Sequence, residues 1–213
     1  MTRRNPASSD PAAQRSADII PLRVPETDAG LVRALQAGEA QAGAALFDRY
    51  APHVRRVLAR VLGPDPELSD LLQDVFVAAL GSLHRLDEPA ALRAWLTQTA
   101  VYTARARIRR RARWRFLRFV PEDELPEQPG GELDAEGSQA LSAVYRVLGL
   151  LPADERIAFA LRVLDDMELT SVASACGVSL ATIKRRLASA QRRFIELSRR
   201  EPVLIEWLAR SRT

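Results

Sequence analysis

A single cysteine among 213 residues leaves the chain no way to staple itself with a disulfide. Cys176 and the two distant histidines, His53 and His84, have no zinc-ligand spacing, so neither a metal nor any other cofactor is expected. Glycine is scarce and strand-like alternation is rare, which favours an all-α protein. No apolar run approaches the ~20 residues of a membrane helix. The N-terminus also lacks the apolar segment of a signal peptide. The expected setting is therefore cytoplasmic, without membrane insertion. Lysine is almost missing: Lys184 is alone, and every other cationic side chain apart from the histidines is arginine. Arginine favours bidentate contacts to phosphate and guanine. Carboxylates cluster only in residues 121–138, a stretch rich in proline and without apolar periodicity. A metal-dependent nuclease is thereby disfavoured, and neither catalysis nor a small-molecule substrate is expected.

The apolar share, 47%, is enough for real cores. Net charge is only +4 but unevenly placed. Residues 29–120 and 139–213 are basic, whereas 121–138 hold acids and no base. Two basic bodies joined by an acidic strap suggest a polyanion contacted twice. The expected organisation is two small helical domains joined by a flexible acidic linker. Residues 1–28 form a disordered tail, 29–116 the first domain, 117–138 the Pro/Glu-rich linker, 139–200 the second domain and 201–213 a short extension.

The stretch from Met167 to Leu197 reads as two helices with a tight corner. Gly177 sits where a helix end wants positive φ, and Ser179 is a good N-cap for the second helix. Leu180, Ile183, Leu187, Ala190, Phe194 and Leu197 recur at helical spacing and predict one buried stripe. Thr182, Lys184, Arg185, Arg186, Ser189, Arg192 and Arg193 fall on the opposite face. That pattern is a helix-turn-helix with a basic second helix, suited to a DNA major groove.

Upstream, Asp28 is the expected cap of a short helix ending at Gly38. A helix over about residues 40–62 contains Pro52, expected to kink it or mark its start. A third begins at Ser69 or Asp65 and buries Leu68, Leu72, Val75, Ala79 and Leu83. Asp70, Gln73, Asp74 and Val77 then lie on another face with Phe76 at its margin. That edge fits a docked protein or plain solvated surface. A fourth helix, capped by Asp87 and with Pro89 in its first turn, runs to about Trp114 with Leu92, Trp95, Leu96, Thr99 and Thr103 inward. Its second half carries seven arginines between Arg105 and Arg115, interleaved with Tyr102 and Trp114. Such a density exceeds what a helix dipole needs and suits phosphate contact with stacking on bases.

The segments SDLLQDVFVAAL, RAWLTQTAVYTARARIRRR, LGLLPADERIAFALRVLDDMELTSVA and CGVSLATIKRRLASAQRRF, in this order and spacing, resemble the RNA polymerase sigma factors of the extracytoplasmic-function (ECF) type. The resemblance implies a promoter-melting domain (sigma domain 2) and a helix-turn-helix domain (sigma domain 4). It also implies core RNA polymerase and promoter DNA as partners, and an anti-sigma factor as a candidate third. Asp70, Gln73 and Phe76, with Asp74 beside them, match the surface that docks on polymerase. Ser179, Thr182, Lys184, Arg185, Arg186 and Ser189 would contact the −35 element. Tyr102, Arg105, Arg107, Arg109 and Arg110 would serve the −10 element. Tyr102 and Ala106 stand where the family usually has Asn and Asp, Glu168 where it has Ser or Thr, and Cys176 where it has Leu. The competing readings are a polymerase-independent helix-turn-helix regulator and a helical adaptor whose arginines are merely solvated.

Overall fold

A computed structural model describes residues 26–86, 88–118 and 135–210. Most of the expected tail, most of the acidic linker and the expected cap Asp87 lie outside the described residues. The described residues contain helices and turns but no strand. In chain order these are α1 (Asp28–Gln36), α2 (Ala42–Leu62), α3 (Leu68–Ser82), α4 (Leu92–Arg118), α5 (Ala135–Gly149), α6 (Ala153–Phe159), α7 (Leu169–Cys176), α8 (Leu180–Ser198) and α9 (Pro202–Arg210). A 3-10 turn at Pro89–Ala91 leads into α4, and α6 loosens into a π turn at Ala160–Leu164.

Thr27, not Asp28, caps α1: its hydroxyl accepts the Gly30 amide at 3.1 Å. Asp28 stands in the first turn and works at longer range. Its carboxylate accepts a 2.6 Å hydrogen bond from the Tyr50 hydroxyl and pairs with Arg49 at 3.3 Å. Burial, and then that bond to Asp28, push the Tyr50 phenol up to about 12. Helix α2 is continuous through Pro52, which neither starts nor ends it and lies exposed. Helix α3 begins at Leu68 rather than Ser69 or Asp65, and Asp65 is buried in the preceding loop.

Helix α4 is the axis of the molecule. Leu92, Leu96, Ala100, Val101, Ala104 and Ile108 are all buried along it. The inward set expected from sequence is only partly right, since Trp95, Thr99 and Thr103 are half-buried. Helices α2 and α3 cover one side of α4 while α6 and α7 cover another. One hydrophobic core therefore runs unbroken from Leu31 through α2, α3 and α4 to Ile157, Leu161, Val172 and Ile183. Two smaller cores continue the second half. One gathers Tyr145, Leu148, Leu151, Phe159 and Ala190, with the Phe159 and Phe194 rings stacked 4.8 Å apart. The other sets Leu204 of α9 against Ala140, Ala143 and Val147 of α5. The two halves thus lie directly against one another.

His53 pins α2 to α4. The Thr97 hydroxyl donates to the Arg93 carbonyl at 2.8 Å, so its oxygen must accept from His53 Nε2, also at 2.8 Å. Nδ1 then presents its lone pair to the Arg93 guanidinium at 3.4 Å. Protonating Nδ1 would set charge against charge. Burial, followed by Arg93 and Arg56, lowers this imidazole to about 4. Between pH 6.5 and about 4 the unfolded chain binds a proton that the fold refuses, so stability falls with pH across that window and levels off below it. We expect the thermal midpoint to drop through this range and His53→Gln to flatten the drop; an unchanged profile in the variant would remove His53 as its source.

Candidate nucleic-acid interface

The corner between α7 and α8 is built from local chemistry. Gly177 adopts the left-handed conformation at φ 64°, which costs glycine nothing. Its amide donates to the Ser174 carbonyl at 3.0 Å, and the Val178 amide to the Ala173 carbonyl at 3.1 Å. This pair of bonds is the Schellman closure. Two residues later the Ser179 hydroxyl accepts the Thr182 amide at 3.2 Å and caps α8.

The faces of α8 divide differently from the expectation. Only Ile183 and Ala190 of the predicted stripe are fully buried; Leu187, Phe194 and Leu197 are half-buried, and Leu180 is exposed. Lys184 and Arg185 point to solvent with Ala181, Ala188 and Arg192 around them. Small alanines beside these cations allow close approach to a groove. Arg186 and Ser189 face inward instead. Arg186 pairs with Asp154 at 3.0 Å, and the Ser189 hydroxyl donates to Glu155 at 3.0 Å. Arg193 reaches Glu155 at 3.2 Å. In this conformation Arg186 and Ser189 orient α8 on α6. Thr182 and Ser179 are occupied with each other and the cap.

The arginines of α4 are also sorted by burial. Arg107 is 8% exposed and donates to both oxygens of Asp65, whose own side chain is fully buried, and it also pairs with Glu67. Burial opposes its charge, but the bonds to Asp65 and Glu67 win and raise its pKa. Arg111 adds a second cation on Asp65. Arg107 is therefore a fastener between the α2–α3 loop and α4, withdrawn from any phosphate. Arg105 is mostly covered and pairs with Asp154 at 2.9 Å. Arg110 pairs with Glu67 but is half exposed, Arg109 is more open, and Tyr102 is 70% exposed. Trp114 is exposed on the same helix.

On α3, Asp70, Gln73 and Asp74 are exposed, whereas Phe76 is buried and tilts against Phe47, ring centroids 4.9 Å apart. The exposed stripe continues through Val77 and Leu80, with Phe47 of α2 partly exposed beside Phe76. Val77 and Leu80 follow Asp70 and Gln73 at helical spacing, so the sequence held their signal. Phe47 comes from another helix and had none.

The family model for Sigma-70 region 2 matches residues 46–114, and that for Sigma-70, region 4 matches residues 141–193. The chain is 30% identical over 123 residues to the ECF RNA polymerase sigma factor SigC of Mycobacterium tuberculosis, covering 57% of this chain and 65% of that one. It is 26% identical over 174 residues to the ECF RNA polymerase sigma-E factor of Escherichia coli K12, covering 78% and 91%. The chain belongs to the ECF group of the sigma-70 family. The match spans just under two thirds of the SigC relative's length. Among solved structures, the fold is similar to CnrH in complex with the cytosolic domain of CnrY, at a TM-score of 0.55 and 22% identity over 80% of this chain and 96% of that one. It is equally similar to the sigma factor RpoE in complex with the anti-sigma factor NepR from Bartonella quintana, at 0.56 and 22% over 76% and 99%. In this sigma-family chain, region 2 thus takes in most of α2 through α4, and region 4 most of α5 through α8.

Removing one partner of a buried ion pair costs about 3 kcal/mol or more. We expect Arg107→Ala to lower the denaturant-derived stability by about that amount, and Arg110→Ala, at the exposed neighbour, by less than about 1 kcal/mol. Equal losses would show that Arg107 is no fastener.

Proposed function

We propose that the chain is a promoter-specificity subunit: it binds core RNA polymerase in the cytoplasm and directs initiation at −35 and −10 elements, without catalytic chemistry of its own. The observation that supports this best is the capped, Schellman-closed helix-turn-helix, with Lys184 and Arg185 exposed, in one chain with an arginine-rich region 2. Helix α8 enters the major groove of the −35 element. Lys184, Arg185 and Arg192 meet phosphates or base edges, and Thr182 and Ser179 lie at the end nearest the bases. On α4, Tyr102 offers an exposed ring for an unstacked base of the −10 element, worth about 1–3 kcal/mol when stacked. Arg109 and Arg110 hold the backbone, and Arg105 joins them once released from Asp154. The stripe Asp70, Gln73, Asp74, Val77 and Leu80, backed by Phe76, takes the polymerase. An anti-sigma factor would cover the same surfaces.

Run-off transcription with purified core polymerase on genomic fragments tests the assignment. Defined starts that appear only with the chain support it. DNA binding without initiation or polymerase capture would leave a polymerase-independent regulator. Arg185→Ala should weaken promoter binding by about tenfold and, if its contact is to phosphate, reduce the salt slope by about one. Val77→Glu should lower polymerase capture at least tenfold while leaving duplex binding unchanged; loss of both would argue against separate surfaces.

A further inference from the structure

Resting on that reading, we propose that the turn joining α8 to α9 is a second DNA-backbone site: Arg199 holds a phosphate flanking the −35 element, and α9 is the brace that fixes it there. The region 4 match ends at residue 193, so this turn and α9 lie outside what the family model covers. Arg185, Arg192 and Arg199 recur at steps of seven along α8. Arg199 is the C-terminal cap of that helix and keeps right-handed helical geometry, at φ −65° and ψ −13°. Seven residues at about 100° each return to within about 20° of the starting direction, and fourteen residues rise about 21 Å. The three arginines therefore form one row. All three are exposed, and no side-chain hydrogen bond or ion pair among the described residues engages them. Arg186 and Arg193, by contrast, are claimed by Asp154 and Glu155. Glu196 is the only acid between residues 180 and 200, so the row stays strongly cationic.

The row is longer than the groove it starts in. The major groove is about 12 Å wide, and a recognition helix meets base edges with its N-terminal residues. With Lys184 and Arg185 in the groove, a side chain about 21 Å further along the axis has passed the groove wall and stands over the backbone. A phosphate contact there fixes the register of the helix without reading sequence. A fraying helix end could not hold such a contact, and this end is tied down. The Arg200 amide donates to the Leu197 carbonyl at 3.0 Å and the Glu201 amide to that of Ser198 at 3.1 Å. Helix α9 then folds back on α5. Leu204 is 4% exposed against Ala140, Ala143 and Val147, and Val203, Phe194 and Leu197 pack on the same small core. The two alanines let α9 approach closely. Glu201 pairs with Arg146 of α5 at 2.8 Å, which draws the carboxylate of the turn away from Arg199 and Arg200.

The test uses the full chain bound to core polymerase, on promoter duplexes in which methylphosphonate linkages neutralise the phosphates on one flank of the −35 element at a time. Neutralising the contacted flank should weaken binding of the unmodified chain about threefold or more, because the counterions of that contact are no longer released. Arg199→Ala should cost the same on the native duplex, equally for every −35 sequence, and lower the salt slope by about one. It should cost nothing further on the duplex neutralised at that flank, and Arg199→Lys should restore most of the affinity. Leu204→Ala loosens α9 while leaving every cation in place, and should reproduce both the loss and the smaller slope. An Arg199→Ala chain with unchanged affinity and slope would overturn the site, as would a loss that persists in full on both neutralised duplexes. Full affinity in a folded Leu204→Ala chain would overturn the brace. Arg199 is exposed, so its variants test the site even where Leu204→Ala does not fold. Failure of the sigma reading is recognised separately, as absence of directed transcription by the unmodified chain.

Discussion

The carbonyls at the end of α2 set the terms for the whole molecule. A helix leaves its last carbonyls without intrahelical donors. Here those of Val61 and Leu62 are answered by Arg156, and that of Ala59 by Tyr145 as well as by the Gly63 amide. Both outside donors come from region 4. A guanidinium buried this deeply is tolerable only when its donors are matched, and the carbonyls are costly to bury unmet. Each half therefore supplies what the other cannot leave unpaired. Gly63, at φ 68°, allows the close contact. The apolar core follows this registration, passing from α2 and α4 into α6 and α7 without a gap.

Arginine does two unlike jobs in this chain. Arg107 and Arg156 work as buried connectors, satisfying Asp65 and Glu67 or helix-end carbonyls. Arg109, Arg110, Arg185 and Arg192 face outward. The planar fork suits both uses, because it can satisfy two acceptors at once and is less strongly hydrated than an ammonium. Lys184, the lone lysine, lies on the exposed face of α8.

That double use explains what sequence reading recovers and what it misses. The helix-turn-helix was legible because its signals are local: Gly177 for a left-handed turn, Ser179 for a cap, apolar positions at helical steps. The helix order was legible from periodicity and proline. The fate of individual arginines was not, because burial of Arg107 depends on Asp65, 42 residues away, and the inward turn of Arg186 depends on Asp154, 32 residues away. The inner face of α4 was misplaced for a different reason. Ala100, Ala104 and Ile108 continue Leu92 and Leu96 at steps of four, but two of them are small alanines, a weaker apolar signal than the neighbouring Trp95. Likewise Asp28 looked like a cap, but Tyr50 and Arg49 claim its carboxylate, and Thr27 takes the capping role.

The exposed stripe of α3 stands apart from these interlocks. Helix α3 packs on α2 and α4, while Asp70, Gln73, Asp74 and Val77 remain open. None of the ion pairs that join the halves, Arg105–Asp154, Arg109–Asp154 and Arg56–Asp165, involves α3. Access to that stripe therefore does not require the halves to separate, whereas freeing Arg105 from Asp154 breaks a contact between them. Separating them also exposes the apolar side chains of α6 and α7, which costs roughly 25 cal/mol per Å² uncovered.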